Sequence, residues 1–266
     1  MNAYTCLAPA KVNLCLHVTG RRNDGYHTLQ SLVAFADVSD HLTLTPAPTY
    51  TLSVTGRFSN AIPAGADNLI TRAINDVAIS QNRSADFSLH LEKNLPVGAG
   101  IGGGSADAAA TLRLIQNAWG LPDRLIRDTA PTLGADVPVC LSPSTQIMRG
   151  IGDTISTAPI FPPLPAVLVW PDAFCDTRNV FHQLKGAFGE SMPPLPEGEW
   201  TLNTVIEYLA RCRNDLEKPA IALLPVIQTA LDALKLQNGS RITRMSGSGS
   251  TCFALFHTIA QAEAAA

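Results

Sequence analysis

The chain has 266 residues, of which 46% are hydrophobic and 15% charged, with a formal net charge of −3. That length accommodates one large domain or two modest ones, each with its own core. The near-neutral balance excludes an electrostatic nucleic-acid binder, and Arg21-Arg22 is the only adjacent basic pair where such a protein carries a basic stripe. Cysteines at 6, 15, 140, 175, 212 and 252 form no Cys-x-x-Cys pair, and none stands at metal-ligand spacing from a histidine. Scattered, apolar-flanked thiols fit a reducing compartment. The N-terminus has no basic n-region and Lys11 interrupts its apolar run, so it does not read as a signal peptide. No apolar run is long enough to cross a bilayer. A cytoplasmic protein without a membrane or nucleic-acid partner is expected.

Residues 11–19 alternate strictly, with Val12, Leu14, Leu16 and Val18 on one side and Asn13, Cys15, His17 and Thr19 on the other. This predicts a strand with one buried face. Asp24-Gly25 is a turn signal and 29–38 is again extended and apolar, so 11–38 reads as a hairpin. More β-rich sequence follows at 41–45 and 50–55. Asp67-Asn68 is a helix N-cap signal ahead of Leu69, Ile70, Ala73, Ile74, Val77 and Ala78 at helical spacing. A strand is expected at 87–93 and helices at about 105–119 and 123–133. The four prolines of 157–165 mark a boundary. Beyond it a short strand at 167–170 precedes helical segments at 179–187, 201–210 and 219–235, and a last strand at 251–256. The Ala-rich, helix-like end is expected to stop short of a final element.

Five features carry chemistry. The first is Pro96-Val97-Gly98-Ala99-Gly100-Ile101-Gly102-Gly103-Gly104-Ser105, held between a strand and a helix. Its glycines let the backbone approach a ligand, and a following helix N-terminus adds a favourable dipole, so together they make an anion site. The stretch satisfies G-x-G-x-x-G, but no second parallel strand with a terminal acid follows, which excludes a dinucleotide fold. A Walker loop would need Gly-Lys-[Ser/Thr], and Gly104-Ser105 has no lysine. The second feature is Lys11 with Asn13, on one strand face roughly 7 Å apart at about 3.3 Å per residue. Lys11 is either a solvated strand-end residue or part of a site. The third is Asp136, in Leu133-Gly134-Ala135-Asp136-Val137-Pro138-Val139, which is either a helix cap or a carboxylate buried with a partner. The fourth, Ser246-Gly247-Ser248-Gly249-Ser250, is a simple turn or a second backbone wall against a phosphate or substrate. The fifth is Asp24-Gly25-Tyr26-His27, where an aromatic face stands beside a hydrogen-bonding ring.

Taken together these motifs resemble the GHMP kinases, the superfamily of galactokinase, homoserine kinase and mevalonate kinase. The phosphate loop carries the general resemblance. Ala8-Pro9-Ala10-Lys11-Val12-Asn13-Leu14, Gly25-Tyr26-His27-Thr28-Leu29, 133–139 and Arg244-Met245-Ser246-Gly247-Ser248-Gly249-Ser250 resemble its branch acting on cytidine diphosphate-methylerythritol. The likeness runs in register from about residue 4 to 257. It implies an α+β, two-domain architecture with the active site in the cleft between domains, 1–157 nucleotide-binding and 158–266 on the substrate side. It implies phosphoryl transfer from ATP, with Mg²⁺, to the 2-hydroxyl of that substrate in the non-mevalonate isoprenoid pathway, by a monomer or weak homodimer. Lys11 and Asp136 would then be catalytic. Pro96, Gly98, Gly100, Ile101, Gly102, Gly103, Gly104, Ser105, Asn68 and Lys93 would meet ATP. Asn13, Tyr26, His27, Thr177, Phe181 and Gly247 would meet the substrate, with no protein metal ligand.

Overall fold

A computed structural model describes residues 3–62, 68–186 and 188–266, so the cap signal at Asp67 lies outside the described residues. The chain folds as two compact units that interleave in sequence rather than dividing at a single point. Unit 1 takes Met1–Lys11, Phe35–Val97 and Gly102–Pro143; unit 2 takes Val12–Ala34, Gly98–Ile101 and Ser144–Ala266. Strands β1 (Tyr4–Arg21) and β2 (His27–Pro46) pair as the expected hairpin, longer than 11–38, and each contributes one part to each unit.

In unit 1, β4 (Phe87–Glu92) is central. It runs antiparallel to β2, with Leu42 opposite Leu91 and Leu44 opposite Leu89, and parallel to β3 (Thr51–Thr55). Its alternate residues Phe87, Leu89 and Leu91 are wholly buried, as the period of two requires. Helices α1 (Leu69–Ser80), α2 (Gly103–Trp119), α3 (Asp123–Leu133) and α4 (Val137–Cys140) complete the unit. Asn68 starts α1 by accepting the Ile70 N–H on its side chain at 2.8 Å. Helix α2 begins two residues earlier than its alanine pattern suggests. Ala106, Ala108, Ala109 and Ala110 are all buried, so the helix fits where larger side chains could not.

In unit 2, β2 pairs antiparallel with β5 (Gln146–Gly150), and β5 with β6 (Thr154–Thr157). A second, antiparallel sheet has the order β7 (Ala166–Val169), β9 (Cys252–Leu255), β8 (Ile242–Met245). Around it lie α5 (Thr177–His182), α6 (Leu202–Ala210), α7 (Glu217–Leu223), α8 (Val226–Lys235) and α9 (Ile259–Ala265). The core joins Leu16 and Val18 of β1 to Ile227, Leu231 and Leu234 of α8 and to Met245, Ala254 and Phe256.

Three differences from the sequence reading have physical causes. Residues 11–18 are buried on both faces, not one. The second face is covered because Cys15 packs on Met192, and residue 213 accepts the Leu16 N–H along the strand. The helical stretch 219–235 is two helices. Leu224 is extended at φ −135°, ψ 85°, since a proline restricts the residue before it, and Pro225 then opens α8. Strands β5, β6 and β8 were not anticipated. Each has only four or five residues, and β8 carries Arg244 inward, so neither length nor alternation announces them.

Candidate active site

The glycine-rich loop supplies residues to both units. On the unit 1 side, Gly102 sits in the left-handed region at φ 66° and caps α2 with no side-chain bond. The first bond inside α2 runs from the Ala106 N–H to the Gly102 carbonyl at 2.8 Å, so the N–H groups of Gly103, Gly104 and Ser105 have no partner within the helix. These donors and the dipole of a 17-residue helix are what an anion needs. Pro96 lies below them, its carbonyl near Gly103. A side chain at Gly102 would crowd Lys11, at 3.2 Å from its Cβ, so the lysine stem lies directly against the end of the loop.

On the unit 2 side, Gly98 and Gly100 also have positive φ. Phe174 lies over Gly98, and the Gly249 carbonyl comes so close to Gly100 that any Cβ there would collide with it. Ala99 accepts the Thr251 N–H at 3.0 Å. Thus the backbone of 246–250 forms a wall against this part of the loop, a contact within the protein rather than with a ligand. Ile101 is buried and belongs to the core.

Lys11 is 4% exposed, yet its Nζ lies 2.8 Å from Asp136 Oδ2, whose side chain is 40% exposed. Asp136 occupies the N-cap position of α4 but makes no cap hydrogen bond. Of the two readings of Asp136, the partner is present but the burial is not: the carboxylate is paired with Lys11 while remaining 40% exposed. The pairing is reciprocal: a buried ammonium needs a counter-charge, and the carboxylate is held with much of its surface open to a ligand.

Lys93 is not a free cation. Its Nζ is buried between Asp40 Oδ2 and Asp107 Oδ2, at 2.5 and 2.7 Å, close beneath Gly103. Burial pushes the Asp107 carboxyl up to about 7, against the pull of Lys93. Lys93 thus ties the end of β4 to the first turns of α2. Asn68 spends its Oδ1 on the α1 cap, while its Nδ2 is buried without a protein hydrogen bond.

In unit 2, the His27 ring stacks on Phe181 with centroids 4.9 Å apart, and Phe188 meets the same ring edge-on at 5.9 Å. Partial burial, and then the Arg21 charge, lower the His27 pKa, which favours the neutral imidazole. Tyr26 is 62% exposed next to it. Thr177 Oγ1 shares a 2.7 Å hydrogen bond with Ser248 Oγ, fastening α5 to the 246–250 wall. Asn13 is buried, gives its Nδ2 to Ser31 Oγ at 2.7 Å, and its Oδ1 lies beside Gly247.

Sequence reasoning missed Asp40 and Asp107, although a carboxylate within the alanine run of α2 was a visible signal. It also missed Phe174 and Phe188, which become neighbours of the site residues only on folding. Nor did spacing reveal that Cys15, His17 and Cys212 come within 4.8 Å of one another at their ligand atoms.

Residues 68–143 match the family model described as GHMP kinases N terminal domain, and 201–266 match GHMP kinases C terminal. A 4-diphosphocytidyl-2-C-methyl-D-erythritol kinase from Dinoroseobacter shibae is 47% identical over 97% of this chain and 88% of its own length. One of the same name from Methylobacterium radiotolerans is 49% identical over 94% and 88%. A crystal structure of 4-(cytidine 5'-diphospho)-2C-methyl-D-erythritol kinase superposes with a TM-score of 0.83 at 35% identity, covering 99% of this chain and 94% of that one. Homoserine kinase from Cytophaga hutchinsonii, 18% identical, shares the fold with a TM-score of 0.66 over 99% and 88% of the two chains. The chain belongs to the GHMP kinases, which use ATP as phosphate donor, and within them to the family of the 4-diphosphocytidyl-2-C-methyl-D-erythritol kinases.

Proposed function

We propose that the chain transfers the γ-phosphoryl group of ATP to the 2-hydroxyl of 4-diphosphocytidyl-2-C-methyl-D-erythritol through Lys11 and Asp136. The observation that carries this reading is the half-exposed Asp136 carboxylate held on a buried lysine whose stem lies against the phosphate loop. Asp136 accepts the hydroxyl proton as the oxygen attacks phosphorus, the bond to the β-phosphate oxygen breaks, and ADP leaves. Lys11 orients Asp136 and offsets charge on the transferring group. Backbone N–H groups of 98–105 hold the phosphates, which supplies by dipoles what a Walker lysine supplies by charge.

The Asn68 amide, with its unspent Nδ2, faces the adenine. Lys93 contributes by positioning the start of α2. Tyr26 and Phe181 stack on the cytosine, His27 hydrogen-bonds its edge, and Asn13, Thr177 and Gly247 border the rest of the substrate. Mg²⁺, when bound with the nucleotide, would neutralise phosphate charge. The residues present fit that: Ser105 and Asp136 offer oxygen donors that would face it.

Asp136→Asn and Lys11→Met test the assignment, the methionine keeping the buried stem volume. Turnover is expected to fall by about 10²–10⁴-fold in each, with circular dichroism and melting close to the parent. Near-normal turnover in either overturns the assigned roles. Offering the parent enzyme this substrate beside homoserine, mevalonate and galactose, and identifying the phosphorylated product, tests the acceptor.

A further inference from the structure

Outside the phosphoryl-transfer site, unit 2 buries a sulfur-rich cluster that the reaction does not use. Cys15 and His17, on the same side of β1, meet Cys212, from the loop after α6, with ligand atoms within 4.8 Å of one another. Met192 adds a thioether, its Sδ 3.4 Å from Cys15 Sγ. Cys15 and His17 are 0% exposed, Cys212 6% and Met192 9%.

The histidine is already oriented as a ligand. The Arg213 N–H reaches Nε2 at 3.3 Å, and a backbone N–H can only donate, so Nε2 carries the lone pair. Nδ1 then carries the proton and gives it to the Glu190 carbonyl at 3.2 Å. Metal-binding histidines are fixed in this way, with one ring N–H on a backbone carbonyl and the other nitrogen presented inward. The bond from Arg213 is long and is the one given up on binding.

Charge points in the same direction. The Arg244 guanidinium is buried and gives its hydrogen bonds to the neutral carbonyls of Leu14, Leu209 and Cys212. Among the described residues it has no ion pair within salt-bridge distance. Two thiolates around a monovalent cation carry one net negative charge, which would balance Arg244. Ligand atoms around a tetrahedral thiolate-bound cation stand roughly 3.8 Å apart, so closing the cluster needs shifts of about 1 Å or less.

We infer that Cys15, Cys212, His17 and Met192 form a binding site for a soft, closed-shell cation, Cu(I) or Zn(II). Thiolate and thioether sulfur select this class, and the thioether suits Cu(I) better. On binding, each thiol proton passes to solvent and a sulfur–metal bond replaces it, with no redox change.

The reduced full chain is titrated anaerobically with Cu(I), and separately with Zn(II), each metal supplied from a chromophoric chelator whose colour reports uptake. One ion per chain is expected. Affinity should fall by at least about tenfold in Cys15→Ser and Cys212→Ser and stay unchanged in the control Cys6→Ser. Met192→Leu, close in volume, separates the two cations: weakening only Cu(I) uptake assigns the site to copper, while no effect on either assigns a Cys₂His site. No uptake, or uptake indifferent to both cysteine changes, overturns the inference. Should those variants fail to fold, Co(II) added to the parent chain decides, because a bound site gives thiolate-to-Co(II) charge-transfer absorption and its absence overturns the proposal.

Discussion

Asp107 shows how a single residue can set a pH dependence. It is buried in α2 with Lys93 and Asp40, and burial raises its carboxyl from 3.8 to about 7. Between those values the native state holds a proton that the unfolded chain has released. The contribution of Asp107 to stability is therefore greatest at acid pH and declines as pH rises towards 7. Asp107→Asn mimics the protonated form and removes the titration. Its melting temperature relative to the parent is expected to rise between about pH 4 and 7 and to level off above that; parallel curves would show that Asp107 is ionised throughout. Lys93 stays paired with Asp40 in that variant, so the change does not strip the buried ammonium of its only partner. The same logic separates Lys93 from Lys11. Both are buried lysines, but only the second is paired with a carboxylate that a ligand can reach.

At the scale of elements, α5 is the least secure of those that the proposed substrate site uses. It has six residues, too few to be stable alone, and it carries both Thr177 and Phe181. Asp176 accepts from the backbone N–H groups of Arg178 and Asn179, at 2.8 and 3.2 Å. Asp176→Ala is expected to cost about 1 kcal/mol of helix stability. The stack of Phe181 on His27 loosens with it. Steady-state kinetics should show KM for the cytidine substrate rising several-fold while kcat and KM for ATP change little. An equal loss in both KM values would mean that α5 also serves the nucleotide. Helix α2 is sturdier at its start because Asp107 and Lys93 pin its first turns.

At the scale of the whole molecule, Arg244 holds unit 2 together. Its guanidinium satisfies carbonyls of β1, of α6 and of the loop after it, at 2.8, 2.9 and 2.8 Å. Arg244→Met fills similar space but leaves those acceptors buried and unpaired, at a cost of roughly 3–5 kcal/mol. For a chain of this size that corresponds to a melting point lower by about 10 °C or more. Arg244→Lys is expected to rescue little of it, because one ammonium cannot span the fork. A melting temperature within about 2 °C of the parent for Arg244→Met would show that water replaces the bonds.

The elements legible in sequence were those with a local cause. Alternation in β1, the Asn68 cap of α1, the alanine run of α2 and the glycines of the loop depend on neighbours a few residues away. The same holds for the motif at 133–139, whose spacing marked Asp136 as unusual without telling a cap from a partnered carboxylate. What the fold alone decided were pairings over long separations. Asp136 meets Lys11 across 125 positions of chain, a difference read from their numbers. Asp40 reaches Lys93, and Cys212 joins Cys15 and His17. Strands of four or five residues, such as β6 and β8, exist only because a partner strand satisfies their backbone. The interleaving of the two units follows from the hairpin and the glycine-rich loop, each of which is divided between both. The sequence by itself determined the chemistry available, a phosphate cradle with a lysine and a carboxylate. Tertiary structure decided which charges are paired and buried, because burial and counter-charge belong to neighbours in space.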